Sequence, residues 1–437
     1  MTAISRRAVL GRATTATVAA LPLATLAACA MPGQAPAQKE LVPASLTYTT
    51  WWLPPLMSGI AAEKAVQAFQ GKHANVRVRI EALTGGAAQQ MEKVQTMAAG
   101  GTPPDVSLLR PQYPGGMAAK GMLLSLDDRL QKDKRAPRSD FIPVHLERGT
   151  WQGKLWGLPA EGWVLITYYN PAMFAKAGQA VPTDSWTWDN WLDAAKRIAS
   201  VPQEGGVKTF ATDDGGMWEY FIWSWGGELL NKQETECLLN RPPAPDAIQW
   251  RADLTNKHGV VPTPQDLTGV QDGMRGLFQQ GRLAMVTLGN WALTDVQAAA
   301  QTPWAVAPLP QSKAGRVTLG SGATYGVLKD GKQIDAAWEF VADHVMGEGA
   351  RVMATESSML PSLKPMIKPD GLPHYKPEWL RVINQVIAGA RQPHYNHPRY
   401  VEMNQVFTEQ LTPVWRGQKS AKDAADEIVR QVNLLLK

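Results

Sequence analysis

The feature that most constrains the fold is a regular alternation of strand-like and helix-like segments after residue 45. Residues 46–51 are rich in β-branched and aromatic side chains, and residues 76–80 alternate apolar and charged side chains with the two-residue period of a strand. Residues 61–69 place apolar side chains on one helical face, and residues 87–99 again have a helical pattern. Such alternation is typical of a mostly parallel sheet covered by helices. The pattern therefore predicts an α/β fold.

Length and charge limit the classes of protein to which the chain can belong. At 437 residues it is longer than a single small domain, so two domains or one two-lobed unit is expected. Lys and Arg number 44 against 39 Asp and Glu, and Arg6, Arg7 and Arg12 fall in the first twelve residues, which leaves 41 against 39 beyond them. Proteins that bind nucleic acids carry a clustered positive excess. The near balance therefore argues against a nucleic-acid partner.

The first thirty residues have the pattern of an export signal. Ser5–Gly11 contains paired arginines and resembles the twin-arginine consensus, and the apolar run Ala13–Ala28 is too short for a spanning helix of about 20 residues. The run ends in Leu26–Cys29, which resembles a bacterial lipobox, whose cysteine is lipidated. Residues 1–29 are therefore predicted to be a signal peptide with a lipobox, and residues 30–44 a flexible tether. An ordinary signal peptide with a chance cysteine is the alternative.

These features predict a protein outside the cytoplasm, on the periplasmic or outer face of the cell membrane, anchored through its lipid alone. No later segment reaches about 18 uninterrupted apolar residues, so no spanning helix is expected. With Cys29 lipidated, Cys237 is the one thiol left. It is expected to be a small buried apolar residue rather than a disulfide partner.

Motifs of common enzymes and cofactor sites are absent from the sequence. No Walker loop, HExxH or GxSxG occurs, and Gly320–Gly326 lacks the GxGxxG spacing. His394 and His397 are flanked by prolines, with no cysteine or carboxylate at ligand spacing. The sequence therefore predicts no metal, no cofactor and no enzymatic activity. One enzymatic alternative remains, a glycosidase pair drawn from five acidic residues: Glu161, Asp213, Asp214, Glu219 and Glu228.

Five blocks of the chain share their motifs with one known family. They are Phe69–Glu81 (FQGKHANVRVRIE), Gly100–Val106 (GGTPPDV), Gly153–Pro159 (GKLWGLP) followed by Tyr168–Trp191, Phe278–Met285 (FQQGRLAM) with Gly289–Trp291, and Ala336–Phe340 (AAWEF). With these blocks the chain resembles the family 1 extracellular solute-binding proteins, the maltose-binding type that delivers sugars to ABC importers. The resemblance extends over nearly the whole chain after residue 45.

The resemblance implies a two-lobed, type II-like periplasmic-binding-protein fold. Each lobe is expected to be a mostly parallel sheet flanked by helices, with a ligand cleft at the hinge, in keeping with the rule that open α/β sheets bind ligands outside their strand ends. The implied N-terminal lobe comprises residues 45–160 and 303–346, and the C-terminal lobe residues 161–302 and 347–437. The chain is expected to cross between them near Pro159–Trp163, Asn290–Trp304 and Val345–Arg351.

A sugar ring has an apolar C–H face and a belt of hydroxyl groups, so its site needs flat aromatic rings together with amides, carboxylates or arginines. Side chains of these types follow the predicted strands, lie at the crossings or occupy late loops. The predicted ligand-binding residues are Trp51, Trp52, Arg110, Gln112, Tyr113, Glu161, Trp163, Trp218, Tyr220, Trp223, Trp291, Ser321, Tyr395 and Arg399. The family motif implies that Trp291 is a stacking tryptophan. Glu219 and Trp225 share the helix of Trp218, and part of that group is expected to be core.

Sequence and resemblance together predict a monomeric, lipid-anchored solute-binding protein. It would capture a carbohydrate, expected to be an oligosaccharide, and deliver it to the permease subunits of an ABC importer. At the third strand Leu109 stands in place of an aromatic residue, so maltose itself is not predicted. The alternatives are the same fold binding a glycerol-phosphate ester or a polyol, with Arg110 and Arg399 gripping the anion, and the surface glycosidase. Six tryptophans in helical patterns are expected to pack in the core or anchor the surface: Trp188, Trp191, Trp250, Trp338, Trp379 and Trp415.

Overall fold

The computed structural model describes residues 41–203 and 205–437. The predicted signal peptide, the lipobox with Cys29 and the tether up to residue 40 lie outside the described residues. Residues 41–437 fold into two five-stranded sheets and one small hairpin, with helices packed around them.

The strands, in chain order, are β1 (Ala44–Thr50), β2 (Val76–Ala82), β3 (Val106–Leu109), β4 (Thr150–Trp151), β5 (Lys154–Leu155), β6 (Leu158–Pro159), β7 (Trp163–Tyr169), β8 (Met285–Gly289), β9 (Ala305–Ala307), β10 (Thr318–Ser321), β11 (Thr324–Val327) and β12 (Ala390–Arg391).

The α-helices, in chain order, are α1 (Met57–Lys72), α2 (Ala87–Ala99), α3 (Pro114–Ala119), α4 (Asp127–Lys132), α5 (Pro143–Glu147), α6 (Pro171–Lys176), α7 (Trp188–Ala199), α8 (Glu219–Ser224), α9 (Ala244–Asn256), α10 (Gly273–Gln279), α11 (Leu293–Ala299), α12 (Ile334–Met346), α13 (Glu348–Glu356), α14 (Pro377–Ile387), α15 (Tyr400–Trp415) and α16 (Ala421–Leu435). Short 3-10 turns lie at Arg138–Asp140, Pro264–Leu267, Asn290–Ala292, Lys364–Met366 and Pro369–Gly371.

The first sheet has the strand order β2-β1-β3-β11-β6. β1 runs parallel to both β2 and β3, as expected for strands joined by the crossover helices α1 and α2. β2 lies at the edge, and its Arg77 and Arg79 are exposed while Val76 is buried. β3 lies in the middle of the sheet with all four residues buried, which explains why its sequence shows no polar alternation.

The second sheet is built around β7, which pairs with β8, β9 and β10, while β12 pairs with β10 at the edge. Local sequence positions the helix that follows β7. The Asn170 side chain accepts a hydrogen bond from the Ala172 N–H at 3.0 Å, Pro171 occupies the first helical position, and Gly178 has a positive φ of 63° just after the end of α6. The chain is therefore turned back over the sheet directly after its central strand.

The predicted α/β fold with mostly parallel sheets is confirmed, because four of the five strands in each sheet run in one direction and a single strand runs against them. β11 runs antiparallel to β3 and β6, and β7 runs antiparallel to all three of its neighbours. Parallel neighbours require a crossover connection that returns the chain to the same end of the sheet. β7 and β11 are each the first strand that the chain forms after it passes from one sheet to the other, and each runs against the rest of its sheet.

Strand pairing defines where the chain passes between the sheets. It leaves the first sheet after Pro159 in β6 and enters the second at Trp163 in β7. It returns between Ser321 in β10 and Thr324 in β11, because β9 and β10 both still pair with β7. The predicted return near Asn290–Trp304 is therefore too early.

The last crossing also lies later than predicted. α13 packs against α1, and its Glu356 carboxylate lies 2.6 Å from the Lys64 ammonium of that helix. Met353 of α13 joins the core under the first sheet. The chain therefore leaves the first sheet after Glu356, and not near Val345–Arg351.

Each sheet has its own hydrophobic core. Phe340 packs under the first sheet, with its ring centroid 5.1 Å from Tyr48 and 5.3 Å from Phe69. Among the predicted core tryptophans, Trp188, Trp191, Trp338 and Trp379 are buried, and Trp250 and Trp415 are partly buried against the core of the second sheet. Cys237 is buried, as predicted. Across residues 41–203 and 205–437, every helix is too short or too polar to span a bilayer.

Candidate functional site

A cavity of about 530 Å³ lies where the ends of β1 and β3 face two of the chain crossings and the start of α15. Ligand sites in proteins are concave and combine apolar or aromatic surface with convergent polar groups, and this lining contains both in similar proportion. The lining residues are Trp51, Trp52, Arg110, Pro111, Gln112, Glu161, Trp163, Gly216, Met217, Trp218, Glu219, Ser321, Gly322, Ala323, Tyr395, Tyr400, Asn404 and Thr408.

Trp51 and Arg110 form the part of the wall that the first sheet contributes. They directly follow β1 and β3, which are neighbouring parallel strands, so their side chains meet at one edge of the sheet. The guanidinium carbon of Arg110 lies 4.7 Å from the centroid of the Trp51 ring, and Nε donates to Gln90 Oε1 at 2.9 Å. Trp52 is more deeply buried and packs edge-on against Tyr325. Trp51 therefore supplies the flat aromatic face, held in place by the cation.

Glu161 lines the cavity at the first crossing. Its Oε1 accepts a hydrogen bond from the Ala323 N–H at 2.7 Å, whereas its buried Oε2 has no partner among the described residues. The buried Arg148 donates through Nη2 to the backbone carbonyl of Glu161 at 2.6 Å. Burial raises the pKa of Glu161 to about 7, and the positive charge of Arg148 opposes that shift. Residue 322 must be glycine to lie against Glu161 and Arg148, because an added Cβ would be only 2.3 Å from the Glu161 carbonyl oxygen.

Glu219 comes to the cavity from the other side, at the start of α8. The turn before this helix is made by Asp214, whose Oδ1 accepts from the Gly216 N–H at 2.9 Å, and by two glycines with positive φ. Burial raises the pKa of Glu219 to about 7, opposed by backbone hydrogen bonds and by the charge of Arg251. Arg251 itself donates through Nη2 to Asp214 Oδ2 at 2.7 Å. Among the described residues, Glu219 therefore has no ion-pair partner of its own.

The start of α15 and the loop before it complete the lining. Tyr400, Asn404 and Thr408 are spaced four residues apart and so lie on one face of the helix. The rings of Tyr395 and Tyr400 meet edge to face, with centroids 4.9 Å apart at 82°. Burial raises the pKa of both tyrosines well above the usual range, so their hydroxyl groups stay protonated.

The structure brings nine of the fourteen predicted ligand-binding residues around this one cavity. Their contacts with a ligand stay a prediction. The nine are Trp51, Trp52, Arg110, Gln112, Glu161, Trp163, Trp218, Ser321 and Tyr395.

Four further predicted residues lie elsewhere. Tyr113 and Arg399 line a neighbouring cavity of about 450 Å³, where the Arg399 guanidinium forms an ion pair with Glu402 at 3.1 Å. Tyr220 and Trp223 are buried in the core of the second sheet. All residues of α8 are buried, so only its start and the residues just before it reach the cavity.

Trp291 also lies outside the cavity, which corrects its prediction as a stacking tryptophan there. It occupies the 3-10 turn after β8 and packs against the core of the second sheet. Its indole folds back over Gly289, where an added Cβ would lie 2.2 Å from Nε1 of Trp291. The G-x-W spacing therefore has a local packing reason here, since only glycine leaves room for the indole.

Tyr400, Asn404, Thr408 and Glu219 also line the cavity, although they are not among the predicted ligand-binding residues. The first three do have a sequence signal, because they recur every fourth residue directly after the late loop that was predicted to lie at the cleft. Glu219 has no such sequence signal. Every residue of its short helix is buried, so no pattern of exposed and buried positions distinguishes it from its neighbours.

The arrangement can hold a ligand that has flat apolar faces and polar substituents. Trp51, Trp163 and Trp218 offer aromatic surfaces, and amide, hydroxyl and carboxyl groups lie between them. A search of the described residues for three or more clustered His, Cys, Asp or Glu side chains finds no set that could hold a metal ion.

Comparisons with known proteins identify the family of the chain. The family model of the bacterial extracellular solute-binding proteins matches residues 55–342. A protein of Brucella abortus (strain 2308), named only as a binding protein, is 25% identical over 315 residues, which cover 70% of this chain and 74% of that protein. The arabinooligosaccharide-binding protein of Bacillus subtilis (strain 168) is 26% identical over 225 residues, which cover 50% of each chain.

A solved structure extends the likeness to the two-lobed fold. The ABC substrate-binding protein Lmo0181 of Listeria monocytogenes, in complex with cycloalternan, superposes with a TM-score of 0.78 at 22% identity. The superposition covers 90% of this chain and 99% of that one. The two-sheet architecture described above is therefore that of a two-lobed solute-binding fold.

Proposed function

The chain belongs to the bacterial extracellular solute-binding proteins, and on that premise we propose that its cavity captures a carbohydrate for delivery to an ABC importer. The observation that carries the proposal is the convergence of Trp51, Trp163, Trp218 and hydrogen-bonding side chains on one cavity of about 530 Å³. Stacking of C–H faces on aromatic rings, with amides and carboxyl groups around the hydroxyl belt, is the chemistry that a sugar ring requires. The names of two relatives, which refer to an arabinooligosaccharide and to cycloalternan, support the same class of ligand.

The proposed ligand-induced motion is closure of two lobes. The first lobe would comprise residues 41–160 and 323–356, and the second residues 161–322 and 357–437, following the strand pairing. Trp51 and Arg110 lie on the first lobe, and Trp218 and Tyr400 on the second. A ligand that contacts both would stabilise the closed arrangement by its differential affinity. A permease that recognises the closed form would then respond to loaded protein.

The N-terminal sequence completes the proposal with an anchor. Paired Arg6 and Arg7 support export, and Leu26–Cys29 supports attachment of lipid to Cys29. The protein would then act as a monomer on a flexible tether beside its permease, binding its ligand without catalysis.

Charge at the cavity argues against the glycerol-phosphate alternative. Arg399 lies in the neighbouring cavity beside Glu402, so the two arginines do not form one anion fork. Arg110 is already engaged with Trp51 and Gln90, and two glutamates share its cavity. A phosphate would meet like charge there, which disfavours it.

A thermal-shift screen of the mature protein against mono- and oligosaccharides, with glycerol 3-phosphate included, tests the proposal. Ligand at 100 times its Kd should add about 2.7 kcal/mol to the free energy of unfolding. Each binder is then incubated with the protein and analysed for cleavage products. Stabilisation by glycerol 3-phosphate alone, or release of free sugar from an oligosaccharide, would contradict the proposed function.

A further inference from the structure

We propose that the carbohydrate bound in this cavity carries a basic amine, so that the ligand is an amino sugar or another amine-bearing saccharide. This inference rests on the proposed function and adds the charge of the ligand to it. The inference follows from the charged side chains of the cavity wall and from the contacts that each of them makes within the protein.

The described lining residues include two carboxylates, Glu161 and Glu219, against one cation, Arg110. The Arg110 guanidinium lies over Trp51 and donates to Gln90, so it is held within its own side of the wall. A ligand that enters the cavity therefore meets an excess of acidic groups. A complementary ligand carries positive charge.

Glu161 is the first of two acidic lining residues that form no ion pair at contact distance with another residue in the described part of the chain. Only 6% of its surface is exposed, and its Oε2 has no hydrogen-bond partner among the residues described. The fully buried Arg148, which lies behind the lining, acts on this carboxylate through its charge, but its hydrogen bond goes to the backbone carbonyl of Glu161. A buried carboxylate is costly unless it is paired, and a ligand ammonium group would supply the missing charge-assisted hydrogen bond.

Glu219 repeats this situation across the cavity. It is 5% exposed, and the closest basic side chain that influences it, Arg251, is bound to Asp214 through Nη2. The Arg251 guanidinium also lies over Trp415, with its central carbon 4.1 Å from the ring centroid. Arg251 thus already contacts both Asp214 and Trp415. The Glu219 carboxylate has no ion pair with another residue in the described part of the chain.

The aromatic residues of the lining fit the same ligand. Trp163 follows Glu161 by two residues, and Trp218 directly precedes Glu219, so each acid has a tryptophan beside it in sequence and in the cavity wall. Tyr395 and Tyr400 add two more rings. Aromatic faces attract cations as well as C–H surfaces. Aromatic rings combined with unpaired carboxylates bind a protonated amine on a sugar better than the corresponding neutral hydroxyl.

Matched sugar series separate this inference from the proposed function. Calorimetry at pH 7.5 on the mature protein would compare glucose, galactose, mannose and the β-1,4-linked disaccharides to tetrasaccharides of glucose. Each sugar is measured in its hydroxyl, 2-amino and 2-acetamido forms. The amine form of the best-bound series should bind at least tenfold tighter than its hydroxyl and acetamido counterparts. Tighter binding of a neutral form contradicts this inference alone. Failure of every sugar in all three forms contradicts the proposed function together with it.

Isosteric variants provide the second test. Glu161→Gln and Glu219→Gln remove the charge and keep the shape, and at least one of them should lower the ratio of amine to hydroxyl affinity fivefold or more. Glu409→Gln, on the exposed part of α15 and outside the cavity lining, is the matched control and should leave that ratio unchanged. Melting temperatures check that each variant is folded. An amine preference that survives both cavity substitutions would overturn the inference.

Discussion

The Oε1 atom of Glu161 accepts a hydrogen bond from the backbone N–H of Ala323 at 2.7 Å. The two residues are 162 positions apart, and they lie on the two segments through which the chain leaves the first sheet and returns to it. Both also line the candidate cavity. A ligand that contacts Glu161 therefore touches the connection between the two sheets, and binding and lobe movement are expected to be coupled.

Ligand binding should make the protein more compact. The proposed lobes both contribute lining residues, so all contacts can form only when the cleft is closed. Small-angle scattering with and without a sugar found in the melting screen measures the change as a lower radius of gyration. A sugar that gives no thermal shift is the control. An unchanged radius at saturation would indicate a site that is already formed, and would contradict closure.

Trp51→Ala should weaken ligand binding by one to two orders of magnitude in Kd. The substitution removes the aromatic face at the end of β1, which corresponds to roughly 1–3 kcal/mol of contact with a sugar ring. Calorimetry on the purified variant measures it. Trp291→Ala is the matched control, because that tryptophan packs against the core outside the cavity. Equal affinities of Trp51→Ala and the unmodified protein would show that the ligand does not lie against this wall.

The buried acids should make stability depend on pH between about 4.5 and 7. Burial raises the pKa of Glu161 and of Glu219 from 4.5 to about 7. In this interval each carboxyl holds its proton in the folded protein and loses it on unfolding, so the stability it contributes is fully present below 4.5 and is lost as pH rises to about 7.

Urea unfolding between pH 4.5 and 8 tests this on Glu161→Gln and Glu219→Gln, which cannot titrate. Relative to either variant, the unmodified protein should lose about 1–3 kcal/mol of unfolding free energy across the interval and little above it. A difference that is constant over the whole pH range would show that the two carboxyls ionise normally.

Gly322→Ala should destabilise the protein more than an alanine at another glycine of positive φ. The added Cβ would lie 2.3 Å from the Glu161 carbonyl oxygen and 2.8 Å from Arg148 Nη1. Gly315 has a φ of 90° with nothing within 4 Å of an added Cβ, so Gly315→Ala reports the backbone cost alone. Urea unfolding should separate the two by about 1–3 kcal/mol. Equal losses would mean that the second crossing shifts freely to accommodate the methyl group.

Export and anchoring should respond to different substitutions. Arg6→Lys combined with Arg7→Lys should leave the precursor in the cytoplasm, because the paired guanidinium groups are the signal that a twin-arginine receptor would recognise. Cys29→Ser should still permit export but prevent lipid attachment. Fractionation and metabolic lipid labelling measure both. Normal export of the double-lysine variant would show that the general secretory route is used.

Features of this protein that depend on local order could be predicted from its amino-acid sequence. Periodicity of two in residues 76–80 and helical spacing in residues 61–69 predicted β2 and α1, because side-chain direction repeats within each element. Pro171 and Gly178 marked the ends of a helix through their own backbone preferences. Motif blocks along the chain indicated the family. Polar and aromatic residues after β1 and β3 indicated one wall of the cavity, because parallel neighbouring strands end at a common edge.

The direction of β7 and β11, the later crossings and the choice of aromatic residues that face the cavity depend on the tertiary structure. β11 runs antiparallel to β3, and Val327 of β11 is paired with Val106 of β3, which lies 221 positions earlier in the chain. Trp218, which directly precedes α8, reaches the cavity while Trp223 of that helix is buried, and Trp291 turns onto Gly289. These outcomes depend on segments that are far apart in the chain. Their packing around each side chain fixes the direction in which that side chain points. Local sequence patterns do not contain that information.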